Sequence, residues 1–135
     1  MTNLSATPEK FQGTASVSIT VNDIQKSLAW YRDILGLGLE RAVERDGKPV
    51  FVALKAGDVR ISLNQDDGAK GWDRTKGLGF SINISVTEDI DAIANRIKGS
   101  GGKLDSEPVD AAWGARYFSL TDPDGYKLSM LKWLA

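Results

Sequence analysis

The sequence predicts an α+β fold built from two tandem βαβββ modules. Three patterns carry this reading. A short alternating segment is written twice, SVSITVND at Ser16–Asp23 and SINISVTE at Ser81–Glu88. A helical period follows each copy, and strand–turn–strand patterns follow each helical period.

In the first copy Val17, Ile19 and Val21 fall on one face of a strand, and Ser16, Ser18 and Thr20 on the other. In the second the apolar face is Ile82, Ile84 and Val86, and the polar face Ser81, Asn83 and Ser85. Each strand is expected to pack one face on a helix and to turn the other toward polar surroundings. Asp23 is a good N-cap for a helix carrying Ile24, Leu28, Tyr31 and Leu35, and Gly36 stands where a C-terminal cap belongs. The second helix opens at Thr87 or Glu88, carries Ile90, Ile93 and Ile97, and closes at Gly99 or Gly101. After the first helix come a strand around Leu39–Val43, a turn at Asp46-Gly47, a strand at Val50–Leu54, a turn at Ala56-Gly57-Asp58 and a strand at Val59–Leu63. The second half follows with GGKLDSEPV, a strand around Arg116–Leu120, a turn at Asp122–Gly125 and a strand at Tyr126–Leu131. The predicted organisation is a flexible, polar lead-in over 1–13 and one domain over 14–135. That domain consists of modules 14–64 and 79–135 joined by a Gly- and charge-rich loop, 65–78.

Composition excludes several classes of chemistry. The chain has 135 residues with 41% hydrophobic and 26% charged side chains, the mixture of a globular domain. No apolar run approaches the ~20 residues that cross a bilayer, and the opening MTNLSATPEKFQG lacks the pattern of a secretory signal, so a cytoplasmic address without a membrane partner is expected. Seventeen basic and 18 acidic residues are interspersed, which argues against a nucleic-acid partner. The densest basic run, Ala69–Gly77, reads as a solvated loop. There is no cysteine and no histidine. Disulfides, thiolate nucleophiles, the commonest metal ligand and a Ser-His-Asp triad are therefore all absent from the available chemistry.

The run from the first strand through ND and SLAWYRDILGLGL, together with IANRIKGSGGKL and AAWGARYFSLTDPDGYKLSML, resembles the glyoxalase/bleomycin resistance/dioxygenase superfamily, the vicinal oxygen chelate fold. The resemblance spans nearly all of Ala15–Leu131. It implies two βαβββ modules whose sheets form a curved, mostly antiparallel surface with a cleft, and a homodimer. Metal enzymes of the family take His, Gln or Glu ligands from the first and last strand of each module. Carried onto this sequence, those positions are Ser16, Ser62, Ser81 and Ser129. A neutral hydroxyl is a poor ligand for a divalent ion, and four of them bring no charge to offset its dehydration. The expectation is therefore no metal and no cofactor. Glyoxalase-type isomerisation, ring cleavage and metal-dependent antibiotic inactivation become improbable expectations.

Strand parity names the cleft face: Ser16, Ser18 and Thr20; Arg60, Ser62 and Asn64; Ser81, Asn83 and Ser85; Lys127 and Ser129; with Phe51 and Tyr117 at matching places in the two third strands. Hydroxyls, amides, two aromatics and two cations suit a polar organic ligand with an anionic group, although a solvated sheet face alternates in the same way. Trp113 and Trp72 lie in loops. In antibiotic-sequestering relatives such rings sandwich a flat drug; otherwise Trp113 covers the core end and Trp72 the dimer seam. Trp30 and Trp133 read as packing or interface residues. DPDG at Asp122–Gly125 is a turn, lacking the further acids of a calcium loop. Glu88-Asp89 is read as a helix cap, and Asp66-Asp67 as solvated loop carboxylates. Tyr117 with Arg116 or Lys127 offers weak acid/base candidates. The leading expectation is a metal-free small-molecule binder, sequestering a toxic or antibiotic compound. Its rivals are an enzyme working without His-ligated metal, by lyase, isomerase or dioxygenase-like chemistry, and a partner-binding module.

Overall fold

A computed structural model describes residues 4–135; the first three residues of the expected lead-in lie outside the described residues. Residues 4–13 are exposed and form no helix or strand. The first module contains β1 (Val17–Val21), α1 (Ile24–Ala29), β2 (Gly38–Arg45), β3 (Lys48–Ala56) and β4 (Val59–Gln65). The second contains β5 (Ser81–Ser85), α2 (Ile90–Gly99), β6 (Ser106–Asp110), β7 (Ala115–Thr121) and β8 (Lys127–Trp133). Both modules are βαβββ, as the repeat predicts.

Each module forms its own four-stranded mixed sheet, in the orders β1-β4-β3-β2 and β5-β8-β7-β6. The first and last strands of a module run parallel and the other neighbours antiparallel. Within one chain the two sheets are separate, with β1 and β2 as the edges of one and β5 and β6 as the edges of the other. Val17, Ile19 and Val21 face inward as predicted, joined by Ile61, Leu63, Val52 and Leu54. Ile82, Ile84, Phe118, Leu120, Leu128 and Met130 come from the second sheet, so both modules feed one hydrophobic core. Complete burial of a side chain such as Phe118 or Leu63 stabilises the fold by roughly 2–3 kcal/mol.

Asp23 caps α1 by accepting from the N–H groups of Gln25 and Lys26. The helix continues through Trp30–Leu35 with wider π-helical turns, and Gly36 ends it at φ 102°, where its N–H donates to the Tyr31 carbonyl. The cap of α2 is Asp89 rather than Thr87 or Glu88, because its carboxylate is the one that reaches the Asp91 N–H. The last strand runs two residues past the predicted end, to Trp133.

The modules are tied together by polar groups that the alternating pattern does not reveal. The fully buried Tyr31 donates its hydroxyl to Asp122 Oδ2 at 2.7 Å. Asp122 Oδ1 also accepts the N–H groups of Asp124 and Tyr126, each at 2.8 Å. Asp124 in turn accepts from the Asn22 N–H and the Ser27 hydroxyl, and Tyr126 donates to the Thr20 carbonyl at 2.8 Å. The β7–β8 turn is therefore built into the β1–α1 corner. At the other end of α1, the Arg96 guanidinium donates to the Ile34 and Leu35 carbonyls, satisfying acceptors left over at the helix terminus.

Asp66 corrects the sequence reading. It is 3% exposed, with Lys76 Nζ 2.9 Å from its carboxylate and Arg74 at 3.7 Å. Lys76 also donates to Asn22 Oδ1 at 2.6 Å, so the joining loop folds back over the β1–α1 corner and shields the acid. The Lys76 hydrogen bond, then the Gly68 N–H, hold Asp66 below the usual carboxylate range.

Candidate functional site

Because side chains alternate along a strand, each sheet that gives one face to the core turns the other outward. On the first module that outer face carries Ser18, Arg60, Ser62, Asn64, Phe51 and Ala53. Ser18 stands opposite Ser62 in the parallel β1–β4 pair. Ala53 stands opposite Ser62, and Phe51 opposite Asn64, in the β3–β4 pair. Asn64 donates to Ser18 Oγ at 2.7 Å and to the Ile19 carbonyl at 3.3 Å. Ser16 precedes β1, and with Ser62 it lines a cavity of about 310 Å³ that also holds Arg41, Phe51 and Arg60.

On the second module the outer face carries Ser81, Asn83, Ser85, Tyr117, Ser119, Lys127 and Ser129. Ser81 is opposite Lys127, and Asn83 opposite Ser129; Tyr117 pairs with Leu131, and Ser119 with Ser129. The serines at the family's ligand positions are thus offset by the same step in both modules: the strand partner of Ser62 is Ser18, and that of Ser129 is Asn83. The cavity holding Ser16 and Ser62 has no lining residue from the second module. Within one chain it does not bring all four serines together.

These donors do not fit a divalent metal. The positions offer hydroxyls only, and among the described residues no group of three His, Cys, Asp or Glu side chains lies together.

One end of the second face is aromatic. The Trp113 and Tyr117 ring centres lie 5.6 Å apart, and Trp113 meets Trp133 edge-on at 5.5 Å. Trp113 is 56% exposed and Trp133 59% exposed, so large apolar area is left open to solvent. The sequence reading missed Trp133 as a member of this cluster. Extending β8 by two residues would have found it, since 129, 131 and 133 share a face. Trp72 is exposed in the joining loop, with its ring against Gly68, and is separate from this cluster. Trp30 is half-buried, edge-on to Tyr31 at 4.8 Å.

The three acid/base candidates are placed differently from one another. Tyr117 lies under the Trp113 ring. Lys127 donates to Thr121 Oγ1 at 2.8 Å, and Thr121 Oγ1 is also bonded to Asp105. Arg116 points to the helix side of the sheet, held by both carboxylate oxygens of Asp91 at 2.8 and 2.9 Å and by Asp110 at 3.0 Å. Hydrogen bonds to Asp91 and then Asp110 push the Arg116 guanidinium further up, and Arg116 holds Asp91 below the ordinary carboxylate range. Arg116 therefore serves helix–sheet packing and does not reach the outer face.

A cavity of about 630 Å³ lies between the start of α1 and the β2–β3 hairpin, away from both outer faces. Two of its polar groups are already engaged: Asp23 caps α1, and Gln65 accepts the Ile24 N–H while donating to the Asn22 and Asp66 carbonyls. No helix among the described residues is long and apolar enough to cross a membrane.

Comparison with known proteins agrees with this architecture. The model of the Glyoxalase/Bleomycin resistance protein/Dioxygenase superfamily matches residues 13–130. A probable lactoylglutathione lyase of Synechocystis sp. is 32% identical over 120 residues, covering 84% of this chain and 90% of that protein. The lactoylglutathione lyase of Salmonella typhimurium is 28% identical over 120 residues, covering 84% and 87%. Among solved structures, TioX from Micromonospora sp. ML1 superposes with a TM-score of 0.72 at 17% identity, covering 91% of this chain and all of that one. TnmS3, an antibiotic binding protein from Streptomyces sp. CB03234, gives 0.71 at 20% identity, covering 93% and 99%. At these identities the solved structures establish a shared fold.

Proposed function

The chain belongs to the glyoxalase/bleomycin resistance protein/dioxygenase superfamily, and we propose that within it this protein binds a small organic molecule without a His-ligated metal. The observation that carries this reading is the open aromatic cluster of Trp113, Tyr117 and Trp133 beside a sheet face of hydroxyls. Exposed rings at van der Waals spacing offer a stacking surface for a planar ligand, and Ser129 and Asn83, one step along the face from the Tyr117–Leu131 pair, supply orienting hydrogen bonds. The solved neighbour described as an antibiotic binding protein supports sequestration as the form of the function. The relatives named as lactoylglutathione lyases suggest a lyase instead. Against that reading, this chain offers only hydroxyls where the resemblance places metal ligands, and it contains no histidine.

We also propose a cytoplasmic homodimer, in which the free edges of β1 and β5 are covered by a second copy and its outer face completes the cleft. Titration of planar aromatic antibiotics into the protein, read by tryptophan fluorescence and thermal stabilisation, tests the binding. A saturable change without consumption of ligand is expected, lost in Trp113→Ala and unaffected by chelator. Light scattering on the same samples is expected to give about twice the 14.6 kDa chain mass. Turnover of the added compound would instead favour the enzyme reading.

A further inference from the structure

Three arginines spend their hydrogen bonds on the fold, and a fourth has a shielded N–H with no acceptor. Arg116 grips Asp91 and Asp110, Arg96 closes the end of the first helix, and Arg32 pairs with its neighbour Asp33. Arg60 differs. Its Nη1 is shielded from solvent yet has no hydrogen-bond partner. The nearest carboxylate oxygen, on Glu40, is 3.9 Å away, beyond hydrogen-bond reach, and Lys55 Nζ lies closer to that oxygen at 3.4 Å. Shielding that N–H from water without an acceptor is costly, while the side chain as a whole is 42% exposed and lines the neighbouring cavity, so its remaining donors are open to a ligand there.

The space in front of it has definite chemistry. The cavity of about 310 Å³ is lined by Arg60, Arg41 and Glu40, by the hydroxyl-bearing Ser16 and Ser62, and by the Phe51 ring. Two guanidinium groups against one carboxylate leave it net positive. The hydroxyls donate or accept, and the ring supplies a flat apolar wall. The volume is at the small end for organic ligands, which limits the occupant to about one ring with its substituents.

We propose that this cavity is a binding site for a small planar organic carboxylate. Its carboxylate is taken by Arg60, with Arg41 and a serine hydroxyl as further donors, and its ring is laid on Phe51. A guanidinium fork matches the two oxygens of a carboxylate, and this pairing is about twice as strong as a neutral hydrogen bond. The site lies wholly on the first module and does not require the Trp113 cluster to bind anything.

NMR titration of the full chain with benzoate, benzamide and inorganic phosphate tests it. Benzoate is expected to bind in about the submillimolar range, shifting amides of β1, β3 and β4. Benzamide, isosteric but uncharged, should bind at least about tenfold more weakly, and phosphate, which fits the guanidinium fork but has no ring to lay on Phe51, should displace benzoate only weakly. Arg60→Gln should weaken benzoate by about tenfold or more and Arg60→Lys by less, since charge survives but the fork does not. Arg41→Gln, on an exposed edge strand, gives a second variant free of folding risk. Amides of β7 and β8 around Trp113 and Trp133 should stay unshifted by benzoate, separating this site from the aromatic cluster. The proposal is overturned if benzamide binds as well as benzoate, if phosphate competes equally, or if both arginine variants bind normally. Shifts confined to β7 and β8, or no shifts up to about 10 mM benzoate, overturn it as well.

Discussion

The two modules share one backbone plan and divide its uses between them. The first module's outer face is ionic, with Glu40 between Lys55 and Arg60; the second's ends in three aromatic rings. Their final hairpins differ as well. In the first module the turn at Gly57-Asp58 is exposed. In the second, the corresponding turn carries Asp122 and Asp124 into the opposite module, where they bind Tyr31, Ser27 and the Asn22 N–H. A duplicated fold conserves strand order because strand pairing and core alternation demand it. Turns and outer faces are free of that demand, and there each copy has acquired its own chemistry. In this chain the second copy supplies the latch that joins the halves, and the first supplies the helix that the latch holds.

The largest effect is expected from breaking that latch. Asp122→Ala leaves the buried Tyr31 hydroxyl and the N–H groups of Asp124 and Tyr126 without their acceptor. It should cost about 3 kcal/mol in urea denaturation. Tyr31→Phe removes only one donor and should cost about 1–2 kcal/mol. If the latch works as a unit, the double variant will be destabilised by less than the sum of the two. Additive losses would show that the modules are joined by the apolar core alone.

The same contrast predicts opposite responses to acid. Burial raises Asp122 above the ordinary carboxylate value, outweighing the Tyr31 hydrogen bond that lowers it. Its contribution is therefore present at low pH and is lost as pH rises through the raised folded value. Asp66 is lowered by Lys76, so its contribution is present above the ordinary value of about 3.9 and is lost as pH falls through a lower folded value. Thermal melts from neutrality to about pH 3 should show Asp66→Asn flattening the acid loss of stability and Asp122→Asn steepening it. Identical profiles for the two variants would refute this assignment.

The smallest effect is expected at Arg116. Its pairs with Asp91 and Asp110 are partly exposed, and salt bridges of that kind contribute little after solvent screening. Arg116→Gln should move the melting temperature by no more than about 3 °C and leave ligand binding untouched. A loss of binding in this variant would return Arg116 to the list of site residues.

The alternating runs at Val17–Val21 and Ser81–Ser85, the helical period after each and the Asp23 and Gly36 caps determined, from sequence alone, the βαβββ repeat and which side chains enter the core. Those are local matters of strand parity, helical period and capping, and neighbouring residues suffice to express them. The four serines were likewise legible as positions, and the missing histidines as a chemical exclusion. Tertiary structure alone decided that Asp122 reaches Tyr31, 91 residues away in the chain. It also decided that Asp66 lies buried against Lys76 rather than in solvent, that Arg116 faces a helix, and that Arg60 is left with a shielded, unpartnered N–H. The physical reason is the range of the interactions. A polar group's worth depends on the partner and the burial that distant segments bring to it, and alternation along one strand carries no record of either.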